Sequence, residues 1–191
     1  MCRLVVAALI AALGSGAPVL AQVPLHEAIT PSLSQQDVAA AFEAAVVDIC
    51  APAVIAGQRL SAAAPGIRAR IAAASDADAA RQVGAEAGDS VWEVAAARGV
   101  VRIRERNGRC MVSAYGPPAA TTLAQVARRL AASGQGFERL VATPGPGTAE
   151  SLVRRAGDSR VQATLGGSEP GMQGNRSRFS VLTATVFAGP G

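Results

Sequence analysis

Residues 100–115 read VVRIRERNGRCMVSAY, and this stretch decides the fold. Asn107-Gly108 lies between two runs in which apolar and polar residues alternate. A two-residue type I′ turn needs positive φ at both of its central positions, and Asn followed by Gly adopts that conformation at the lowest cost. The stretch therefore predicts a β-hairpin whose strands are joined at Asn107-Gly108.

The turn also predicts which residues oppose one another in the hairpin. The expected pairs are Arg106 with Arg109, Glu105 with Cys110, Ile103 with Val112, and Val101 with Ala114. One face then carries the apolar set Val101, Ile103, Cys110, Val112 and Ala114. The opposite face carries Arg102, Arg104, Arg106, Arg109, Met111, Ser113 and Tyr115. The apolar face requires a second layer to cover it.

A helix that begins near Ser34 is the expected second layer. Its apolar residues recur at helical spacing along one stripe, at Val38, Phe42, Val46 and Ile49. Ser34 and Asp37 have the spacing of a capping box. Pro52 is expected to disturb or end the helix, and Gly57 to stop it. We expect this helix to pack across the apolar face of the hairpin.

Two cysteines remain once the N-terminal segment that contains Cys2 is removed. Cys50 and Cys110 are 60 residues apart, and in an oxidising compartment they have only one intramolecular pairing. In the chain-entropy model a bridge closing such a loop stabilises the fold by about 4 kcal/mol. Free or redox-active thiols are the alternative, although the chain has no C-x-x-C motif. The bridge would join the helix to the hairpin.

The N-terminus has the pattern of an export signal. A basic start at Arg3 precedes the apolar run 4–13, and Val19-Leu20-Ala21 offers a cleavage site. We therefore expect a signal peptide at 1–21, a flexible leader at 22–33 and one domain at 34–191, located in the periplasm or secreted. The apolar run is shorter than the roughly 20 residues that a spanning helix needs. No transmembrane segment is expected in the mature chain.

The rest of the chain predicts an α+β fold. Two short helices are expected within 62–84, a strand at 91–97, and a helix that starts at Thr122 and ends near Gly134. Further strands are expected at 137–143, 151–155, 161–165 and 179–187. Because helices and strands occur in separate runs, the sheet is expected to be mainly antiparallel, with the N-terminal helices and the later helix on one face.

Composition excludes several kinds of chemistry. The chain has 18 basic and 14 acidic residues, and every basic residue is arginine, which rules out lysine chemistry. The only histidine, His26, lies in the leader, where it cannot serve as an oriented base. No metal site and no cofactor are predicted. A nucleic-acid partner is not expected either, because the arginines lack interleaved aromatic residues.

Several features together resemble small exported alphaproteobacterial proteins of unknown function. They are the export signal, a helix ending in Ile49-Cys50-Ala51-Pro52, a strand containing Trp92, and Gly108-Arg109-Cys110 leading to Tyr115-Gly116-Pro117. The resemblance implies an exported domain with paired cysteines. It supplies no catalytic residue.

The function expected from the sequence is a non-enzymatic domain that binds at the cell envelope, as an accessory or inhibitor protein. Its expected site is the arginine face of the hairpin, with Arg102, Arg104, Arg106 and Arg109 exposed, unpaired by more than one carboxylate, and able to bind an anionic envelope component. The partner is otherwise unknown. The alternative is a hydrolase of envelope polymer that uses a carboxylate pair drawn from Asp89, Glu93, Glu105, Glu138 and Glu150.

Overall fold

The computed structural model describes residues 33–74, 77–140, 148–172, 175 and 177–190. The predicted signal peptide and nearly all of the predicted leader lie outside these residues. The first helix begins at Leu33, the last residue of that leader.

The helices lie in two groups along the chain. They are α1 (Leu33–Ala44), continued by a π-helical turn (Ala45–Cys50) and α2 (Ala51–Ile55), then a 3₁₀ turn (Leu60–Ala62), α3 (Pro65–Arg68), α4 (Ala77–Gln82) and, later, α5 (Ala119–Ala132). The strands are β1 (Ala72–Ala73), β2 (Ser90–Ala96), β3 (Gly99–Arg106), β4 (Arg109–Tyr115), β5 (Glu138–Arg139), β6 (Thr148–Ala156), β7 (Ser159–Ser168) and β8 (Val181–Pro190).

The described strands form one eight-stranded sheet in the order β1-β2-β3-β4-β8-β7-β6-β5. Every neighbouring pair is antiparallel. The chain thus forms one four-stranded meander, crosses the sheet through α5, and forms a second meander whose last strand pairs with the last strand of the first. The α+β prediction, with a mainly antiparallel sheet, is confirmed.

The predicted hairpin forms with the predicted register. Arg106 pairs with Arg109, Glu105 with Cys110, and Ile103 with Val112. Asn107 and Gly108 have φ values of 48° and 72°, as a type I′ turn requires. The apolar and arginine faces of the hairpin are therefore those expected from the sequence.

Both long helices pack on the apolar face of the sheet, each where a glycine lets it approach. A Cβ built on Gly99 would lie 2.8 Å from Val38 of α1, and one built on Gly167 would lie 2.8 Å from Ala119 of α5. The helix α1 contacts β2, β3 and β4, whereas α5 contacts β6, β7 and β8. Each meander of the sheet therefore has its own covering helix.

The disulfide links the two layers as predicted. Cys50, at the end of the π-helical turn, bonds Cys110 of β4, and their Cα atoms are 5.6 Å apart. Both residues are buried, at 0% and 2% exposure. The predicted bridge is confirmed, and it lies inside the core rather than at the surface.

The first helical run continues past Pro52 to the stop that the sequence predicted. Pro52 neither ends nor breaks it, because the π-helical turn before Pro52 changes the hydrogen-bond spacing and Pro52 then lies in the first turn of α2. The run ends at the predicted Gly57, which has a φ of 63°. The carboxylate of Asp37 accepts a hydrogen bond from the backbone N–H of Ala97.

Residues Gln35–Ile55 form a 21-residue helical run that is long and apolar enough to cross a membrane by length and composition. The expectation that no segment after the signal meets this test is therefore wrong. More than half of its apolar window, 56%, is buried inside the protein. Phe42, Val46 and Ile49 have no exposed surface. Packing against the sheet accounts for the apolar composition of this run.

The start of α5 also differs from the prediction. The helix begins at Ala119, and Thr122, the expected cap, is a buried residue of its first turn. The free N–H groups at this end are satisfied by the carboxylate of Glu169, whose Oε1 accepts hydrogen bonds from Ala119 at 2.6 Å and Ala120 at 3.4 Å. A cap from fifty residues away leaves no local pattern in the sequence.

Candidate functional site

Four arginines share the outer face of the β3–β4 hairpin, opposite the helices. Arg102, Arg104 and Arg106 alternate along β3 with the buried residues, and Arg109 begins β4. Arg106 and Arg109 are direct cross-strand partners. Like charges in that arrangement repel, so they give the sheet no stability. The structure brings the predicted site residues together.

The segment between α4 and β2, residues 82–89, lies over three of these arginines, and we call it the covering segment. The Oε1 of Gln82 accepts a hydrogen bond from Arg102 at 2.5 Å. The carbonyl of Gly84 accepts one from Arg104. The carboxylate of Glu86 accepts one from Arg106. Each arginine of β3 thus has a partner from this segment.

Two carboxylates, one at the end of the covering segment and one on β2, add ion pairs to these arginines. The Asp89 side chain is 0% exposed and lies 3.8 Å from the Nε of Arg104 and 3.4 Å from the Nε of Arg106. Glu93 of β2 lies 3.2 Å from the Nε of Arg102, its direct cross-strand partner. Negative charge from the chain itself therefore already balances much of the arginine face.

The predicted exposure of these arginines is wrong for two of the four. The side chains of Arg102 and Arg104 are only 17% and 18% exposed, because the covering segment and β2 pack beside them. Arg106 remains 44% exposed but pairs with two carboxylates, Glu86 and Asp89, where at most one was expected. The hydrogen bond that Arg106 donates to Glu86 and the charges of both carboxylates raise the pKa of Arg106 above its usual range.

Arg109 differs from its neighbours, since no carboxylate in the described residues pairs with it. Its guanidinium carbon lies over the ring of Phe187 on β8, 5.4 Å from the ring centre. This cation–π contact positions the guanidinium without neutralising its charge. Arg109 is therefore the arginine of this face that retains its hydrogen-bonding capacity for another molecule.

A groove of about 530 Å³ opens beside Arg109, and we call it the arginine groove. Its lining consists of Arg104, Arg106, Asn107, Arg109, Met111 and Ala188. Three arginines line it, and no acidic residue of the described chain does. Guanidinium groups bind carboxylate and phosphate through two parallel N–H donors. The groove thus has the chemistry of an anion site.

A second ion-pair cluster joins α1 to α5 and serves the fold. Arg129 of α5 donates to Glu43 at 2.7 Å and to Asp48 at 2.9 Å, and Arg70 approaches Asp48 at 3.3 Å. Burial lowers the pKa of Arg129, but hydrogen bonds and charge from Glu43 and Asp48 outweigh it and raise the pKa above its usual range. Here the two carboxylates and the guanidinium satisfy one another, which leaves no free charge for a ligand.

The glutamates considered for hydrolysis in the first meander lie on opposite faces of the sheet. Glu93 lies on the outer face and pairs with Arg102. Glu105 lies on the helix-covered face, where its Oε1 accepts a hydrogen bond from the N–H of Leu60 at 2.9 Å. Asp89, on the same face as Glu93, is four residues away along the strand, about 13 Å at 3.3 Å per residue. No cleft brings these carboxylates together.

The other two candidates are separated from these and from each other. Glu138 is the cross-strand partner of Val153, and Glu150, three residues from Val153, projects to the opposite face. Glu150 pairs with Arg139 at 3.4 Å. The strands β3 and β6 are four positions apart in the sheet, about 19 Å at the usual strand spacing. The five carboxylates do not form the close pair that the hydrolase alternative requires.

One further motif has a structural explanation within the described residues. Asn175, in the triplet Asn175-Arg176-Ser177 that matches a glycosylation acceptor, is 8% exposed, and its side-chain amide donates to the carbonyls of Ser168 and Phe179 at 3.1 Å. This amide holds the loop before β8. Among the described residues, no three side chains of His, Cys, Asp or Glu are arranged to hold a metal ion.

Sequence reasoning missed the partners of the arginines. Glu93 could have been placed opposite Arg102 by extending the hairpin logic through Gly99 to β2, since that pair follows directly from the register. The covering segment left no such signal, because residues 82–89 have neither strand nor helix periodicity. No family model, curated protein or solved structure matches this chain.

Proposed function

We propose that this protein is an exported, non-enzymatic domain that binds an anionic component of the cell envelope in the arginine groove. The observation that carries the proposal is the composition of that groove, which three arginines line and which no acidic residue of the described chain lines. A cationic ligand would find no complementary group there. An anion would find the forked donor of Arg109 beside the positively charged side chains of Arg104 and Arg106.

Arg109 is the residue on which binding depends most. Arg104 and Arg106 are already held by Asp89, so their positions are fixed before any ligand arrives. Arg109 lacks such a partner in the described residues and is oriented by Phe187. A rigid pair of arginines beside a free one is a preorganised site, which reduces the entropy lost on binding.

The repulsion between Arg106 and Arg109 supports the same proposal. Opposed like charges on adjacent strands destabilise a sheet, and a neutral or acidic residue at either position would remove the repulsion. An anion bound between the two guanidinium groups would convert the repulsion into two attractive contacts. The pair is therefore understandable as part of a binding site and not as part of the scaffold.

The buried disulfide supports the proposed location. Disulfides persist in oxidising compartments and are rare in the reducing cytosol. The Cys50–Cys110 bridge fits a protein that folds after export. The N-terminal pattern of Arg3, an apolar run and a small residue at Ala21 supports export through a cleaved signal peptide.

Calorimetric titration with two multivalent anionic probes, tripolyphosphate and trigalacturonate, tests the proposal. We expect at least one of them to bind, with an affinity that falls steeply as salt is raised. Arg109→Gln should weaken binding about tenfold, the usual effect of losing a charge-assisted contact worth about 1.4 kcal/mol. The matched control is Arg98→Gln, an exposed arginine in the turn between β2 and β3, which should bind as the native protein does. Absence of binding by both probes would refute the proposed function.

A further inference from the structure

We propose that the arginine groove is one end of a longer track across the outer face of the sheet, and that the track binds a linear acidic polysaccharide. This inference rests on the proposed function and extends it to a ligand class. Its basis is a second pair of opposed arginines, on β6 and β7. This pair lies at the same end of the sheet and on the same face as the pair of the β3–β4 hairpin.

Arg155 of β6 and Arg160 of β7 are direct cross-strand partners. They flank the β6–β7 turn in the same way that Arg106 and Arg109 flank the β3–β4 turn. The register connects the two turns: Phe187 of β8 pairs with Arg109 on one side and with Gln162 on the other. Both turns therefore project from the same end of the sheet.

Side-chain alternation puts the second pair on the outer face. Val161 and Ala163 of β7 point into the core, so Arg160 and Gln162 point outward. The pair is repulsive, like the first, and gives the sheet no stability. Two repulsive arginine pairs on one face and at one end of a sheet are costly without a ligand that spans them.

The second pair is also free of acidic partners in the described residues. Arg160 donates to the Oε1 of Gln162 at 3.1 Å, while its buried Nε has no hydrogen-bond partner. Arg155 is exposed. Unlike Arg104 and Arg106, neither of them pairs with a carboxylate of the described chain. Their charge is available to an outside molecule.

The distance between the pairs requires an extended ligand. The strand order β3-β4-β8-β7-β6 places two strand spacings, about 10 Å, between the nearest arginines of the two pairs, Arg109 and Arg160. The outermost arginines, Arg106 and Arg155, are four spacings apart, about 19 Å. A single phosphate, a carboxylate or a headgroup reaches one pair only. A linear chain with anionic groups at intervals reaches both, and each additional contact raises its effective concentration at the next.

The surface between the pairs indicates a saccharide. The outer face there presents neutral hydrogen-bonding side chains and one aromatic ring, namely Gln162, Thr164, Thr185 and Phe187. Gln162 donates to Thr164 at 3.4 Å, which extends a polar row from Arg160 along β7. Hydroxyl and amide groups match the hydroxyls of a sugar chain, whereas a chain of phosphates offers them only charge. A uronic-acid polymer supplies both the carboxylates and the hydroxyls.

Affinity as a function of ligand length tests the track. With the intact mature protein, octagalacturonate should bind at least tenfold more tightly than trigalacturonate. The double variant Arg155→Gln/Arg160→Gln should lose most of that advantage while its affinity for trigalacturonate changes less than twofold. The control is Arg98→Gln/Arg128→Gln, which removes two exposed arginines elsewhere and should keep the advantage. Since the exchanged pair is repulsive, the melting temperature of the double variant should not fall. The single variant Arg155→Gln, at the more exposed position, should also keep its melting temperature and should lose part of the length advantage.

The outcomes separate the inference from the proposed function. If tripolyphosphate or trigalacturonate binds but octagalacturonate binds no more tightly than trigalacturonate, the arginine groove remains an anion site and the track is refuted. If a polyphosphate of matched charge binds as tightly as octagalacturonate, the track recognises charge alone and the assignment to a saccharide is overturned. If the control variant loses the length advantage as well, binding follows net charge and not these two arginines, which also refutes the track. If no anion binds, both the inference and the proposed function fail.

Discussion

The two faces of the β3–β4 hairpin alternate along the same two strands but differ in composition and in role. On the inner face, Val101 and Ile103 have no exposed surface and Cys110 is bonded to the helix above it. On the outer face, arginines are arranged so that one pair repels. The comparison teaches that the inner face holds the fold together, whereas the outer face maintains a charge arrangement that the fold alone would not select.

Removing the disulfide is expected to have the largest effect on the stability of the inner face. Replacing Cys50 and Cys110 together by alanine should lower the free energy of unfolding by about 4 kcal/mol in the chain-entropy model, because the unfolded chain regains the freedom of a long loop. Urea denaturation of both proteins measures the difference. A double variant as stable as the native protein would show that the helix and hairpin hold together without the bridge.

Ile103→Ala should have the next largest effect. The side chain is fully buried between the sheet and the helices, and its truncation leaves a cavity, so a loss of about 2–5 kcal/mol is expected. Affinity for tripolyphosphate should not change in the folded fraction, since Ile103 points away from the groove. A loss of affinity at a temperature where the variant is fully folded would mean that the two faces are not independent.

A smaller effect is expected from Glu86→Gln, which should strengthen anion binding. Removing this carboxylate frees a guanidinium edge of Arg106 that now donates to Glu86. Affinity for tripolyphosphate should rise by about threefold to tenfold, since a competing charge-assisted hydrogen bond is gone. The exposed ion pair itself contributes little to stability, so the melting temperature should hardly change. Weaker binding would mean that Glu86 holds Arg106 in its binding position and does not compete with the anion.

The smallest effect expected is that of pH on anion binding. The partners of Arg106 raise its pKa above the usual range of arginine, and a raised pKa means that its positive charge persists at all pH values below that range. Tripolyphosphate affinity, corrected for ionisation of the probe, should therefore be constant from about pH 7 to 9, well below the ordinary pKa of arginine. A decline in this interval, measured by calorimetry, would mean that a group other than arginine supplies the positive charge.

Local sequence patterns predicted the parts of this comparison that depend on near neighbours. Asn107-Gly108 set the register, the register assigned Cys110 to the inner face, and helical spacing brought Cys50 to meet it. The pairing of β4 with β8 and the capping of α5 by Glu169 could not be predicted, because each joins residues far apart in sequence. The same limit applies to the outer face: the arginines of β3 and β4 were recognised, but their carboxylate partners in residues 82–89 and the matching pair at Arg155 and Arg160 were not.

Nuclear magnetic resonance of the arginine side chains tests the central claim most directly. In a spectrum of the Nε–Hε groups, tripolyphosphate should shift the signal of Arg109 most, and those of Arg104 and Arg106 with it. Arg129, which is satisfied by Glu43 and Asp48, and the distant Arg98 should not move. Such a result would show that the anion binds in the arginine groove and not to positive charge in general. Equal shifts of all arginines, or a largest shift at Arg98 or Arg129, would contradict the claim that the outer face of the hairpin is an anion site.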